Sequence, residues 1–127
     1  MSSTWTDEEL RGIVGATEVQ VTSRRPDGTL RPYVTIWGVR SGPDVYIRSA
    51  YGPQNGWFRR AVTAGAGRIR AGGTERDVSF EQVDSGSPVH GGIDAAYHAK
   101  YDRYGPQIVG TVTGPAAAAV TLQVRPR

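Results

Sequence analysis

The chain has 127 residues, no cysteine, and 15 Lys and Arg against 12 Asp and Glu, a formal charge of +3 at neutral pH. A single domain over residues 1–127 is the expectation at this length. The missing thiols exclude disulfides and thiolate catalysis, and no apolar run approaches the roughly 20 residues of a membrane-spanning helix. The polar, acidic start (MSSTWTDEEL) is not a signal peptide, so a cytoplasmic location is expected.

Thr6-Asp7-Glu8-Glu9 is a capping box with Trp5 placed to staple onto Leu10, which predicts a short helix to about Val14. Glu18–Ser23 alternates with Val19 and Val21 on one face and predicts a strand. Arg25-Pro26-Asp27-Gly28 is a turn signal. Tyr33–Val39 is β-branched and aromatic with apolar residues on both faces, which predicts a central strand covered on both sides. A turn at Ser41–Asp44 leads into a third strand, Val45–Ser49, and these three form a meander. A loop from Ala50 precedes a helix near Gly56–Ala64, with Phe58, Ala61 and Val62 on one face and Gly65–Gly67 ending it. Arg68–Ala71 and Asp77–Val83 form a hairpin around Gly72-Gly73. Ser85–Gly92 reads as a loop, Ile93–Tyr104 as a helix stopped by Gly105-Pro106, and Val120–Val124 as a last strand. The expected fold is mainly β with helices (α+β), a six-stranded antiparallel barrel with helices appended.

Charge is distributed unevenly. Residues 24–76 carry ten Arg against Asp27, Asp44 and Glu75, while the flanks carry nine carboxylates against five basic residues. A basic centre between acidic flanks suits an anionic ligand better than a nucleic-acid coat. The stretch YIRSAYGPQNGWFRRAVTAGAGRIR sharpens this. Its loop runs into a helix N-terminus, whose free N–H groups and dipole favour anions. Arg48, Ser49, Arg59, Arg60, Arg68 and Arg70 surround it, and guanidinium forks match phosphate oxygens. The expectation is a phosphate cradle for a phosphorylated cofactor, with Arg68 or Arg70 alternatively pairing with Asp77 or Glu81 across the hairpin. Tyr51, Asn55 and Trp57 flank it; Tyr51 is a ligand candidate, and Trp57 reads more readily as a core anchor. On the next helix Asp94, His98 and Asp102 share a face, an ion-paired surface or an acid–base unit, beside a stripe of Ile93, Tyr97, Tyr101 and Tyr104. No metal-ligand spacing, Walker loop or nucleophile elbow is present.

The runs DGTLRPYVTIWGV, DVYIRSAYG, WFRRA, GAGRIRAGG, RDVSFE, IDAAYHAKY and TLQVRP resemble the bacterial DUF2255 family over nearly the whole chain. That family is similar to the flavin-binding split β-barrel superfamily of pyridoxamine phosphate oxidases and deazaflavin-dependent reductases. The resemblance implies an FMN-binding split-barrel-like fold, a homodimer, and FMN or the deazaflavin coenzyme F-420 bound at its interface. It places Thr35, Ile36 and Trp37 beside the isoalloxazine ring, and Arg48, Ser49, Arg59 and Arg60 on the phosphate. The implied activity is hydride transfer to a small organic acceptor, with Tyr51 and His98 as candidate proton donors. Where the superfamily often has a loop Lys, this chain has Gln54-Asn55-Gly56. That departure keeps two alternatives open: a cofactor-free biosynthetic enzyme (a cyclase or isomerase) in the same pocket, and a non-catalytic protein binding an anionic metabolite. Neither nucleic acid nor membrane is an expected partner.

Overall fold

In the computed structural model, which describes residues 4–127, helix α1 spans Asp7–Gly15. The capping box is formed: Thr6 Oγ1 accepts from the Glu9 N–H (3.1 Å), and the Thr6 N–H donates to Glu9 Oε1 (2.9 Å). These bonds satisfy two of the N–H groups a helix start leaves without partners. Glu9 also pairs with Arg76 Nη1 at 2.8 Å, and Trp5 Nε1 donates to the Val124 carbonyl at 3.0 Å. The N-terminal helix is thereby tied to the sheet at two points.

Seven antiparallel strands follow: β1 Val19–Ser23, β2 Val34–Ile36, β3 Gly38–Ser41, β4 Asp44–Arg48, β5 Ala66–Ala71, β6 Thr74–Gln82 and β7 Thr121–Pro126. Their order is β2-β1-β5-β6-β7-β4-β3. Only Trp37 separates β2 from β3, so the two edges of the sheet are halves of one bent strand, and the sheet curls into a nearly closed barrel. This accounts for seven strands where six were expected. The segment predicted as one central strand, Tyr33–Val39, is a seam: β2 pairs with β1, and β3 pairs with β4. Both covered faces were predicted for it, yet Thr35 is exposed.

The seam is close-packed at its bend, where a side chain's first carbon would press on two neighbouring methyl groups. A Cβ on Gly38 would lie 3.2 Å from Val19 Cγ2 and 3.3 Å from Ile47 Cγ2. Backbone groups released at the bend are collected by helix α3, His90–Tyr101. Tyr97 OH donates to the Trp37 carbonyl (3.3 Å), Lys100 Nζ to the Gly38 and Ile13 carbonyls (2.7 and 2.9 Å), and Tyr101 OH accepts from the Gly38 N–H (3.3 Å). Trp37 and Tyr101 stack at 4.0 Å with 9° between their planes. The tyrosine stripe is thus the packing face of α3, and two of its hydroxyls serve the seam.

Strand alternation divides the apolar residues into two cores. Inside the barrel lie Val19, Val21, Val45, Ile47, Ile69, Val78, Phe80, Leu122 and Val124. They are joined by Leu10 and Ile13 of α1 and by Trp57, Phe58 and Ala61 of helix α2, Gly56–Ala64. On the outer face α3 packs Ile93, Tyr97 and Tyr101 against Val39 and Tyr46. Helix α2 ends at Gly65 in the left-handed region (φ 66°), and Gly67 then lets β5 approach β1, because a Cβ there would sit 1.9 Å from the Thr22 carbonyl oxygen.

Beyond α3 come a 3₁₀ turn, Asp102–Tyr104, helix α4 Pro106–Val109, a second 3₁₀ turn, Gly110–Val112, and helix α5 Pro115–Ala118. Each short helix begins with proline directly after a glycine of positive φ, Gly105 or Gly114. The predicted helical run to Tyr104 holds, its last three residues winding as 3₁₀, but it starts at His90, inside the segment expected to be loop; α4 and α5 lie where no helix was expected. No helix among the described residues is long and apolar enough to cross a membrane.

Candidate functional site

A groove of about 410 Å³ opens along the seam. One wall is Val34, Thr35, Ile36 and Trp37; the floor and far end are Arg48, Ala50, Tyr51, Asn55 and Trp57; the other wall is Ile108, Thr111 and Val112. Among the described residues β2 pairs only with β1, so its second edge carries backbone donors and acceptors with no described strand beside them. Tyr51 stands at the rim with 85% of its surface exposed. Its loop is held by Ser49, whose Oγ donates to the Gly52 carbonyl at 2.7 Å. Asn55 caps α2 by position, but its side chain makes no capping bond, which leaves the N–H groups of that first turn open.

Arg48 does not lie in an open cradle. Alternation on β4 sends Val45 and Ile47 into the barrel and Tyr46 and Arg48 outward beneath α3. The Arg48 side chain is fully buried. Its Nε donates to Thr121 Oγ1 (2.9 Å), Nη1 to Asp94 Oδ1 and to the Val112 carbonyl (2.8 Å), and Nη2 to His90 Nδ1 (3.1 Å). Four of its five N–H donors are thus engaged. The partners fix the histidine tautomer. Guanidinium can only donate, so His90 Nδ1 accepts; His90 Nε2 therefore carries the hydrogen that goes to the Asp84 carbonyl at 2.7 Å. Asp94 also accepts from the Gly114 N–H (3.3 Å). Arg48 is the hub joining β4, β7, α3 and the 110–114 segment, and through the Val112 carbonyl it fixes one wall of the groove.

The structure brings Thr35, Ile36, Trp37, Arg48, Tyr51, Asn55 and Trp57 to one groove. Trp57 reaches it from the core, 8% exposed and edge-on to Phe58. Ser49 is buried and spends its hydroxyl on the loop. Arg59 and Arg60 line a different cavity, with Arg24, Arg25 and Arg31. The expected convergence of four basic residues on the start of α2 is not formed. Arg48 points under α3, and Arg68 pairs with Asp77 across the hairpin at 3.0 Å, as the alternative reading had it. That bond holds the Asp77 carboxyl below its usual range, the Arg68 and Arg24 charges adding to the effect. Arg70 lies over the Tyr33 ring (4.2 Å) and near Glu75 (3.7 Å), while Glu81 is taken by Arg125.

Of the two readings of Asp94, His98 and Asp102, the ion-paired surface holds for His98 and Asp102, while Asp94 leaves it. His98 Nδ1 meets Asp102 at 2.7 Å on an exposed surface, whereas Asp94 turns in to Arg48. His98 lines neither the groove nor the arginine cavity. Sequence reasoning missed Ile108, Thr111 and Val112. The signal was available in the two Gly-Pro pairs, each of which starts a short helix; Gly105-Pro106 also ends the helical run before it, as expected.

The fold is one shared with solved split-barrel proteins. The chain is a member of the family described as uncharacterized protein conserved in bacteria (DUF2255), whose model matches residues 9–124. The conserved hypothetical protein Rv2991 from Mycobacterium tuberculosis is similar in structure, with a TM-score of 0.63 and 11% identity, over 97% of this chain and 80% of that one. A pyridoxamine 5'-phosphate oxidase-type protein from Listeria innocua superposes with a TM-score of 0.57 at 12% identity, covering 95% and 90% of the two chains. An F420 reductase does so with 0.51 at 19%, covering 92% and 90%. No curated protein matches the chain.

Proposed function

We propose that the groove binds a flavin-type cofactor, FMN or a deazaflavin, and that the protein is an oxidoreductase acting on a small organic acceptor. The observation that carries this reading is the free edge of β2 running along a groove walled by Ile36, Trp37, Trp57, Ile108 and Val112. A planar ring system with an apolar body and a polar rim suits it: apolar walls enclose the ring, and strand-edge N–H and C=O groups meet its heteroatoms. When bound, such a cofactor supplies hydride chemistry. The chain's part is to clamp and orient. Thr35, Ile36 and Trp37 would lie along the ring, and Asn55 with the open first turn of α2 would receive its phosphate. The fit is good for the ring. For the phosphate it differs from the resemblance, because Arg48 is committed elsewhere and Arg59 and Arg60 belong to another cavity. Tyr51 at the rim is the proposed proton donor.

A homodimer is proposed with it. Tyr51 and Ile108 leave 85% and 49% of their surfaces exposed at the groove mouth, where a second copy would complete the wall. Sedimentation at micromolar concentration checks this, and a monomer counts against it.

The deciding experiment is the absorbance spectrum of the purified protein, followed by titration with FMN and with the deazaflavin while following ligand fluorescence. Saturable binding of either supports the reading. A protein that neither carries nor takes up a flavin leaves the cofactor-free enzyme as the better account.

A further inference from the structure

The second large cavity has a different chemistry. It measures about 620 Å³ and shares no lining residue with the groove. Five arginines line it: Arg24, Arg25, Arg31, Arg59 and Arg60, and no carboxylate does. Only Arg24 has a carboxylate partner, Asp77 at 2.9 Å, which it shares with Arg68. Arg25 is spent on uncharged oxygens, the Leu30 carbonyl (2.9 Å) and Thr29 Oγ1 (3.4 Å). Asp27, in the same turn, bonds Thr29 at 2.6 and 2.9 Å and is absent from the lining.

Among the described residues the other three guanidinium groups have no partner. Arg31 Nε is buried with no hydrogen bond, a rare condition for a charged donor. Arg59 and Arg60, neighbours on α2, make no side-chain hydrogen bond or ion pair among the described residues. Apart from Arg24, whose charge Asp77 offsets, four like charges around one cleft repel one another unless an anion enters. A surface whose arginines served only solubility would be interspersed with carboxylates, as the β5–β6 hairpin is with Asp77 and Glu75.

The ligand class follows from charge and shape. Each guanidinium fork matches two oxygens of a phosphoryl group. A single orthophosphate cannot span the three unpartnered forks of Arg31, Arg59 and Arg60 and leaves most of the volume empty. The lining contains no aromatic residue, so there is no platform on which a base would stack, which argues against single-stranded nucleic acid. We propose that this cleft is a binding site for a small oligophosphate, two or three linked phosphoryl groups, independent of the flavin groove.

Calorimetric titration with inorganic tripolyphosphate tests it, with orthophosphate and a single-stranded oligonucleotide as comparisons at equal ionic strength. The expected result is one tripolyphosphate per chain, bound at least tenfold more tightly than orthophosphate. The double variant R59Q/R60Q, exposed on its helix, should keep its melting temperature and lose at least tenfold in affinity. R11Q/R127Q, which removes the same charge from outside the cleft, should change it less than twofold. FMN added to the tripolyphosphate-saturated protein should not displace the anion; failure of FMN to bind would bear on the groove and leave this site intact. The proposal is overturned by absent binding, by an equal loss in R11Q/R127Q, by displacement with FMN, or by an oligonucleotide that binds more tightly than tripolyphosphate.

Discussion

Arg48 and the pair Arg59–Arg60 look alike in sequence, basic residues on either side of one loop, and the fold treats them in opposite ways. Arg48 lies under α3 with four donors engaged and no solvent exposure. Arg59 and Arg60 are exposed on α2 and hold nothing. The buried guanidinium is structural: it joins three elements and sets a groove wall without offering the groove a free cation. The exposed pair is available to a ligand. Residue type alone does not separate the two; strand parity does, since position 48 shares the outward face with Tyr46.

The sharpest way to break this contrast is Arg48→Ala. It leaves His90 Nδ1 and the Val112 carbonyl buried without a donor and takes the cation from Asp94, whose side chain is 33% exposed, and should cost about 3 kcal/mol in urea unfolding. Arg59→Ala should stay within about 0.5 kcal/mol. Similar losses for both would end the distinction. Second in size, Thr35→Trp fills the groove from an exposed strand position. It should weaken flavin binding by about tenfold or more, or roughly 1.4 kcal/mol, and leave tripolyphosphate binding unchanged. A flavin titration that Thr35→Trp does not alter would remove the ring from this groove.

A third test concerns a buried cation whose charge, unlike that of Arg48, is negotiable. Burial pushes the Lys100 ammonium down to about 8. The unfolded chain, with lysine near its ordinary value, binds more protons between pH 8 and 10, so stability should rise with pH there, by about 1 kcal/mol. Burial raises Tyr97 and Tyr101, so their contribution is lost only as pH climbs past the ordinary tyrosine range. Lys100→Met should flatten the rise in thermal melts. The smallest effect is expected from His98→Gln, whose exposed pair with Asp102 should contribute about 0.5 kcal/mol or less. Flavin binding should be untouched, and a large loss of turnover with cofactor bound would restore His98 as an acid–base group.

Much of the barrel was legible because its signals are local. The capping box, the Gly72-Gly73 hairpin and the alternating valines each depend on a few neighbouring residues. The groove was legible in part: Tyr51, Asn55 and Trp57, singled out by the loop and helix start, and Thr35–Trp37, singled out by the family resemblance, line one groove. What could not be read is long-range. Nothing near Arg48 announces that Asp94, His90 and Thr121 will meet it, and nothing near Arg59 announces Arg24, Arg25 and Arg31 across the cleft. The split of Tyr33–Val39 into two edges depends on which partners each half finds.

Strand β7 lies between β6 and β4, and the pairing of Val45 with Val124 joins residues far apart in the sequence. The hairpins β3–β4 and β5–β6 are local and can form early, while bringing β7 home carries the loop-closure entropy of most of the chain. During synthesis on the ribosome the barrel therefore remains an open sheet until Thr121–Pro126 has emerged. Until then the edges of β4 and β6 are bare and open to wrong pairing with other chains. A chain stopped before Thr121 should aggregate rather than fold, and light scattering on refolding would show it.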